Sequence, residues 1–158
     1  MKYIRYKNGD IDDVDAQLLA ALSTNGRISN AGLGRLVKLS APTVAERLRR
    51  LEETGVIEGY TATINPAALG YAISAWVRIK PIPGQLQKVI EIVQSLPEIE
   101  SCDRVTGEDC FVVLLHAISI RDMERIIDRI LPFATTNTSI IQSSPLKRRL
   151  LPLKVRSS

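Results

Sequence analysis

The stretch SAPTVAERLRRLEETG, Ser40 to Gly55, starts and stops as a helix does. Ser40 suits the N-cap, where its hydroxyl accepts from a first-turn N–H, and Pro42 falls where a missing N–H is harmless. Gly55 tolerates the left-handed conformation common just past a helix end. At about 100° per residue, Val44, Leu48 and Leu51 share one narrow apolar stripe, while Thr43, Glu46, Arg47 and Arg50 gather on a different arc. One face packs, and the other is left for a negatively charged partner.

Two shorter helices lead into it. The first runs from about Asp12 to Ser23, with Asp12, Asp13 and Asp15 in the turn where carboxylates suit the positive end of the macrodipole. Val14, Leu18, Leu19 and Leu22 line one side of it, and Asn25-Gly26 stops it. The second is capped by Ser29 and reaches Lys38, burying Leu33, Leu36 and Val37. Three helices joined this tightly form a helix-turn-helix whose last helix fits a major groove. From Arg27 to Arg50 there are six bases against one acid, a local excess of +5 against +4 for the whole chain. On this reading Arg47 and Arg50 reach base edges or phosphates, Thr43 meets bases or phosphate, and Arg49 meets the DNA backbone. Arg27, Ser40 and Glu46 complete the candidate DNA-contact set. Glu46 and Arg50, four residues apart, are equally suited to pair with each other.

Downstream, Val56 to Ile64 reads as a strand, the wing of a winged helix-turn-helix, and Asn65-Pro66 followed by Gly70 reads as a linker. Ala72 to Lys80 alternates apolar and polar residues with a period of 2. A helix follows from about Gln85 to Leu96, then strands from Ile99 to Val105 and from Cys110 to Ala117 around the turn Thr106-Gly107-Glu108-Asp109. A helix from Ser119 to Leu131 and a strand from Thr136 to Ser143 complete the order β-α-β-β-α-β, the ferredoxin-like split βαβ arrangement. The chain is therefore α+β, with a winged helix-turn-helix domain over 1–60, a linker strand over 61–71 and a ferredoxin-like domain over 72–158. Both helices cover one face of the sheet. Trp76, Val112, Leu114 and Ile141 are expected on the other, where a second copy of the chain would cover them, with an ordinary core position as the alternative for Trp76. A dimer is the minimum expectation. Residues 1–10 read as an extended arm, and the basic tail with Lys147, Arg148, Arg149, Lys154 and Arg156 as a solvated terminus.

Other chemistry lacks its motifs. Cys102 and Cys110 are too few for a disulfide framework and sit out of register for a bridge, so both are expected as free thiols. His116, the single histidine, has no partner at metal spacing and reads as a packed or interface residue. There is no phosphate loop, no nucleophile motif, no signal-peptide pattern and no apolar run of the roughly 20 residues that span a bilayer. The expectation is a cytoplasmic, nucleoid-associated protein with no metal, no cofactor and no enzymatic activity.

The runs Asp12-x-x-Asp15, Asn25-Gly26-Arg27-Ile28-Ser29, Leu39-Ser40-x-x-Thr43-Val44-x-x-Arg47-Leu48-x-Arg50-Leu51-Glu52 and Gly55-Val56-Ile57-x-Gly59-Tyr60 resemble the N-terminal signature of the Lrp/AsnC feast/famine transcription regulators. Thr106-Gly107-Glu108-Asp109, Thr136-x-Thr138 and Leu150-Leu151-Pro152-Leu153 are similar to the effector domain of that family. The resemblance implies a sequence-specific regulator of double-stranded DNA that forms dimers, assemblies of dimers such as octamers, and a site between dimers for a small effector, typically an amino acid. Carried over by position, that site would draw on Thr106, Gly107, Glu108, Asp109, Thr136 and Thr138. Their N–H groups and hydroxyls suit a carboxylate, and their acidic side chains suit an ammonium. The family turn commonly ends in a second acid where this chain has Cys110. Two other functions compete with this one. Haem-biosynthesis decarboxylases share the layout but rely on active-site histidines, and a binding-only amino-acid sensor would lack salt-dependent affinity for DNA.

Overall fold

Each helix in the first half begins on a side-chain oxygen. In the computed structural model, which describes residues 11–152, α1 (Asp13–Thr24) opens on a capping box. The Asp12 carboxylate accepts the Asp15 N–H at 2.8 Å, and Asp15 accepts the Asp12 N–H at 3.3 Å. Two orphan amides are satisfied reciprocally in this way. For α2 (Asn30–Val37), Ser29 Oγ accepts the Gly32 N–H at 3.0 Å. For α3 (Ala41–Glu53), Ser40 Oγ accepts the Thr43 N–H at 3.3 Å. The arm expected over residues 1–10 and the end of the tail, 153–158, lie outside the described residues.

The apolar stripes of the three helices meet in one core of Leu18, Leu19, Leu33, Val44, Leu48 and Leu51. The join between α2 and α3 is tight because Lys38 adopts φ 55, and because α2 passes close to the following turn at Gly34. A Cβ added to Gly34 would stand 2.5 Å from the Leu39 carbonyl oxygen. Glycine is the residue that fits there.

The strand expected from Val56 to Ile64 does not form, so the wing is not built as a β-ladder among the described residues. Gly55 takes φ 72 and reverses the chain. The Ile57 N–H then bonds back to the Leu51 carbonyl at 3.0 Å, while Val56 and Ile57 fold onto the helical core. Their apolar surface is used as a helix cap rather than in a sheet. A 3₁₀ turn over Pro66–Leu69 follows.

The second half is an antiparallel sheet in the order β2-β3-β1-β4, from β1 (Ile73–Pro81), β2 (Ile99–Arg104), β3 (Phe111–Ala117) and β4 (Ala134–Ile140). With α4 (Leu86–Ser95) and α5 (Ile120–Asp128) between the strands, this is the split βαβ order. Ala75, Val77, Ile79, Phe111, Val113 and Leu115 pack against Val89, Val93, Met123 and Ile126 of the helices, so the helices cover one face. Cross-strand partners share a face, which puts Trp76, Leu114 and Ser139 in one row of the other side and Arg78, Val112 and Asn137 in the next. Trp76 is 42% exposed on that side.

The chain divides into two units, one reaching Ala62 and including the residues from Leu146, the other Thr63–Pro145. No described helix is long and apolar enough to cross a membrane.

Candidate functional site

The basic third helix is held by a carboxylate on the first. Asp15 on α1 is fully buried, and two guanidiniums from α3 converge on it. Arg47 Nη1 donates to Asp15 Oδ1 at 2.9 Å and to Asp12 Oδ2 at 2.7 Å, and Arg50 Nη2 donates to Asp15 Oδ2. Burial pushes the Asp12 carboxyl up, but the Asp15 N–H and the Arg47 guanidinium outweigh it, and its pKa lies below the usual value. The hydrogen bonds to Asp12 and Asp15 raise that of Arg47. A buried carboxylate without such partners would carry a large desolvation penalty.

This corrects the placement of two candidate residues. Arg47 and Arg50, expected on a free arc, both turn sideways onto α1. The helix therefore has three sides. Val44, Leu48 and Leu51 face the core, and Arg47 and Arg50 flank that stripe against Asp15. Pro42, Ala45, Glu46 and Arg49 stand outermost, all exposed. The alternative pairing of Glu46 with Arg50 is absent. Glu46 instead accepts two bonds from Arg49, at 3.1 and 2.5 Å, and Arg49 also donates to Glu53 at 2.5 Å. These bonds lower the Glu46 pKa and raise that of Arg49. Thr43 lies at the exposed N-terminal end, its hydroxyl 2.7 Å from that of Ser40, so the cap and this side chain form one polar group. Arg27 lies before α2, its N–H donating to Asn25 Oδ1 at 3.0 Å.

Asp15 is the functional residue that charge counting along the chain overlooks. A signal for it exists. Asp12 and Asp15 are three apart, and so are Arg47 and Arg50, so each pair occupies one face of its helix and the two faces match in charge. Tyr60 is a second such residue. Its hydroxyl donates to Glu52 Oε1 at 2.8 Å, tying the chain after α3 back to that helix. Burial and then this acidic partner push its pKa up to about 12.

In the second unit, Thr106, Gly107, Glu108 and Asp109 form the β2–β3 turn, closed by the Val105 N–H bonding to the Cys110 carbonyl at 2.9 Å. Gly107 has φ 115. The Asp109 carboxylate lies 3.9 Å from Arg78 Nε. Thr136 and Thr138 pair with Ile79 and Val77, so they occupy the helix-covered side of the edge strand β4. Both β3 and β4 flank β1, which sets the turn and the two threonines two strands apart, about 10 Å. One protomer does not bring these two groups together.

The remaining candidates are structural. Cys102 and Cys110 are free thiols, Cys102 pairing across to Val113 rather than toward Cys110. His116 is buried, with Ser74 Oγ 2.8 Å from Nδ1 and Glu100 Oε2 2.6 Å from Nε2. A β-bulge between Ile99 and Ser101 re-aims Glu100 toward the ring. Among the described residues there is no cluster of His, Cys, Asp or Glu able to hold a metal ion.

Residues 11–52 match the AsnC-type helix-turn-helix domain, and residues 74–151 match the Lrp/AsnC ligand binding domain. The HTH-type transcriptional regulator LrpA of Mycobacterium tuberculosis is 38% identical over 132 residues, 83% of this chain and 88% of that protein. LrpC of Bacillus subtilis is 34% identical over 84% of this chain and 92% of its own length. The solved structure of Bacillus subtilis LrpC superposes with a TM-score of 0.83 at 32% identity, over 88% of this chain and 99% of that one. A feast or famine regulatory protein of Mycobacterium tuberculosis, solved in complex with L-methionine, superposes at 0.82 with 35% identity, over 89% of this chain and 98% of that one.

Proposed function

The chain belongs to the Lrp/AsnC family of helix-turn-helix transcriptional regulators, and from that premise we propose how its parts meet DNA, a second copy and an effector. The observation that carries the reading is the division of α3 into a core stripe, a flank fixed to Asp15 and an exposed outer arc. A helix fixed on two sides presents the third as a rigid reading surface, and a major groove is wide enough to admit it. Glu46 and Arg49 on that arc read base edges. Thr43 with Ser40 at the N-terminal end, and Arg27 before α2, contact the phosphate backbone. Arg47 and Arg50 act from behind, as the residues that orient α3.

The sheet face bearing Trp76, Leu114 and Val112 pairs with the same face of a second protomer, so recognition helices work two at a time. Assemblies of such dimers, up to an octamer, would then engage several half-sites. An amino acid is the effector this reading favours. The gap of about 10 Å within one protomer supports a shared site, in which the Thr106–Asp109 turn of one protomer meets Thr136 and Thr138 of another. An effector of this kind acts by binding one assembly better than another, which changes how many recognition helices engage at once. The protein would work at the nucleoid in the cytoplasm.

The test is selection of duplex DNA from a random pool, with and without each of the twenty amino acids. Recovery of paired half-sites one helical turn apart, or a multiple of it, supports paired recognition helices. Unpaired sites or no enrichment would sink the reading. A change in recovered sites with one amino acid identifies the effector.

A further inference from the structure

Charge is distributed unexpectedly in the N-terminal unit. Residues 1–62 carry nine Lys and Arg against eight Asp and Glu, a balance of only +1 for the part that includes the whole helix-turn-helix. A third of those bases are already engaged, with Arg47 and Arg50 on Asp15 and Arg49 between Glu46 and Glu53. A surface of that balance is poorly suited to a polyanion, because affinity for DNA rests largely on neutralising phosphates and releasing their counterions. More positive charge comes from the far end of the chain. The residues from Leu146 group with this unit rather than with the one they leave. They bring Lys147, Arg148 and Arg149, which are consecutive, exposed and without a carboxylate partner among the described residues. Counting them raises the balance to +4.

We propose that Lys147, Arg148 and Arg149 form a second DNA-contact surface that grips phosphates without reading sequence. It complements the bases Arg27, Arg35 and Lys38, while Arg47 and Arg50 take no part. This rests on the reading of α3 as a recognition helix and adds where the electrostatic part of the affinity originates. Three consecutive exposed cations outside any helix or strand are placed to meet successive phosphates. Contacts of this kind position the protein on the duplex and carry no sequence information.

The experiment uses the full chain and a fluorescent duplex of unselected sequence, with affinity measured by anisotropy from low to high salt. Removing one cation that neutralises a phosphate flattens the plot of log affinity against log salt by roughly 0.9. The triple variant Lys147→Ala/Arg148→Ala/Arg149→Ala is expected to flatten it by at least about 1 and to weaken all duplexes alike. Arg121→Gln, which removes one exposed cation of α5 in the other unit, is expected to leave the slope unchanged. An unchanged slope for the triple variant overturns the proposal, and so does a flattened slope for Arg121→Gln. An altered oligomeric state of the triple variant with its slope intact assigns the segment to assembly and equally overturns it. Wild-type chain with no salt-dependent binding to any duplex overturns the recognition-helix reading as well, a result distinct from the other three.

Discussion

Asp15 lies at the meeting point of folding and recognition. Its carboxylate closes the capping box of α1 and receives both Arg47 and Arg50, while its own side chain is entirely out of water. Removing it leaves Arg50 without a counterion and Arg47 with only the half-exposed Asp12. Loss of one partner from a buried pair costs about 3–5 kcal/mol, and the lower end applies here because both arginines keep part of their hydration. Asp15→Ala is expected to destabilise the helical unit by that amount in urea unfolding followed by circular dichroism. A loss below about 1 kcal/mol, the scale of an exposed ion pair, would show that the cluster is ornamental. Sequence alone does not assign this pair. The matched spacing of Asp12/Asp15 and Arg47/Arg50 is visible in the chain, but which face of α3 meets α1 is settled by packing between segments more than thirty residues apart.

At the scale of elements, the sequence is legible wherever a period or a cap carries the information. Val44, Leu48 and Leu51 mark the core side of α3, the alternation from Ile73 to Lys80 marks a strand with two unlike faces, and Ser29, Ser40 and Ser119 mark helix starts. Val56 to Ile64 misleads for a physical reason. β-Branched residues favour a strand only where a ladder partner exists, and here the helical core takes Val56 and Ile57 first. The close approach at Gly34 is also hidden, since two glycines in α2 look alike as weak helix formers. Only Gly34 would put a Cβ against backbone. Gly34→Ala is expected to destabilise the helical unit by about 1–3 kcal/mol through overpacking, visible as a lowered melting temperature. A neutral or stabilising effect, the usual result of Gly→Ala in a helix, would show that the turn can move aside.

At the scale of the molecule, the exposed face of the sheet is the feature with the widest consequence. A 42% exposed Trp76 between Leu114 and Ser139, with Val112 in the next row, is an apolar strip that a second copy can cover. On the proposed pairing, Trp76→Asp would place a charge in the middle of each buried face. Light scattering is expected to give a monomer mass for this variant and at least a dimer for the wild type. A wild-type mass that persists in the variant would move the interface elsewhere. The candidate effector residues show the limit of reading a chain in isolation. The turn from Thr106 to Asp109 and the two threonines of β4 are individually visible, but their separation across the sheet is a matter of topology.

The Asp15 cluster has one more consequence, which concerns how such a protein diversifies. The side chains that hold α3 in place lie on its flank, and those on the outermost arc, Pro42, Ala45, Glu46 and Arg49, hold nothing else together except one another and Glu53. Substitutions on that arc can therefore be explored freely, without first securing compensation in the core. A gene duplicate could acquire a new set of target sequences in a few steps while inheriting its scaffold unchanged.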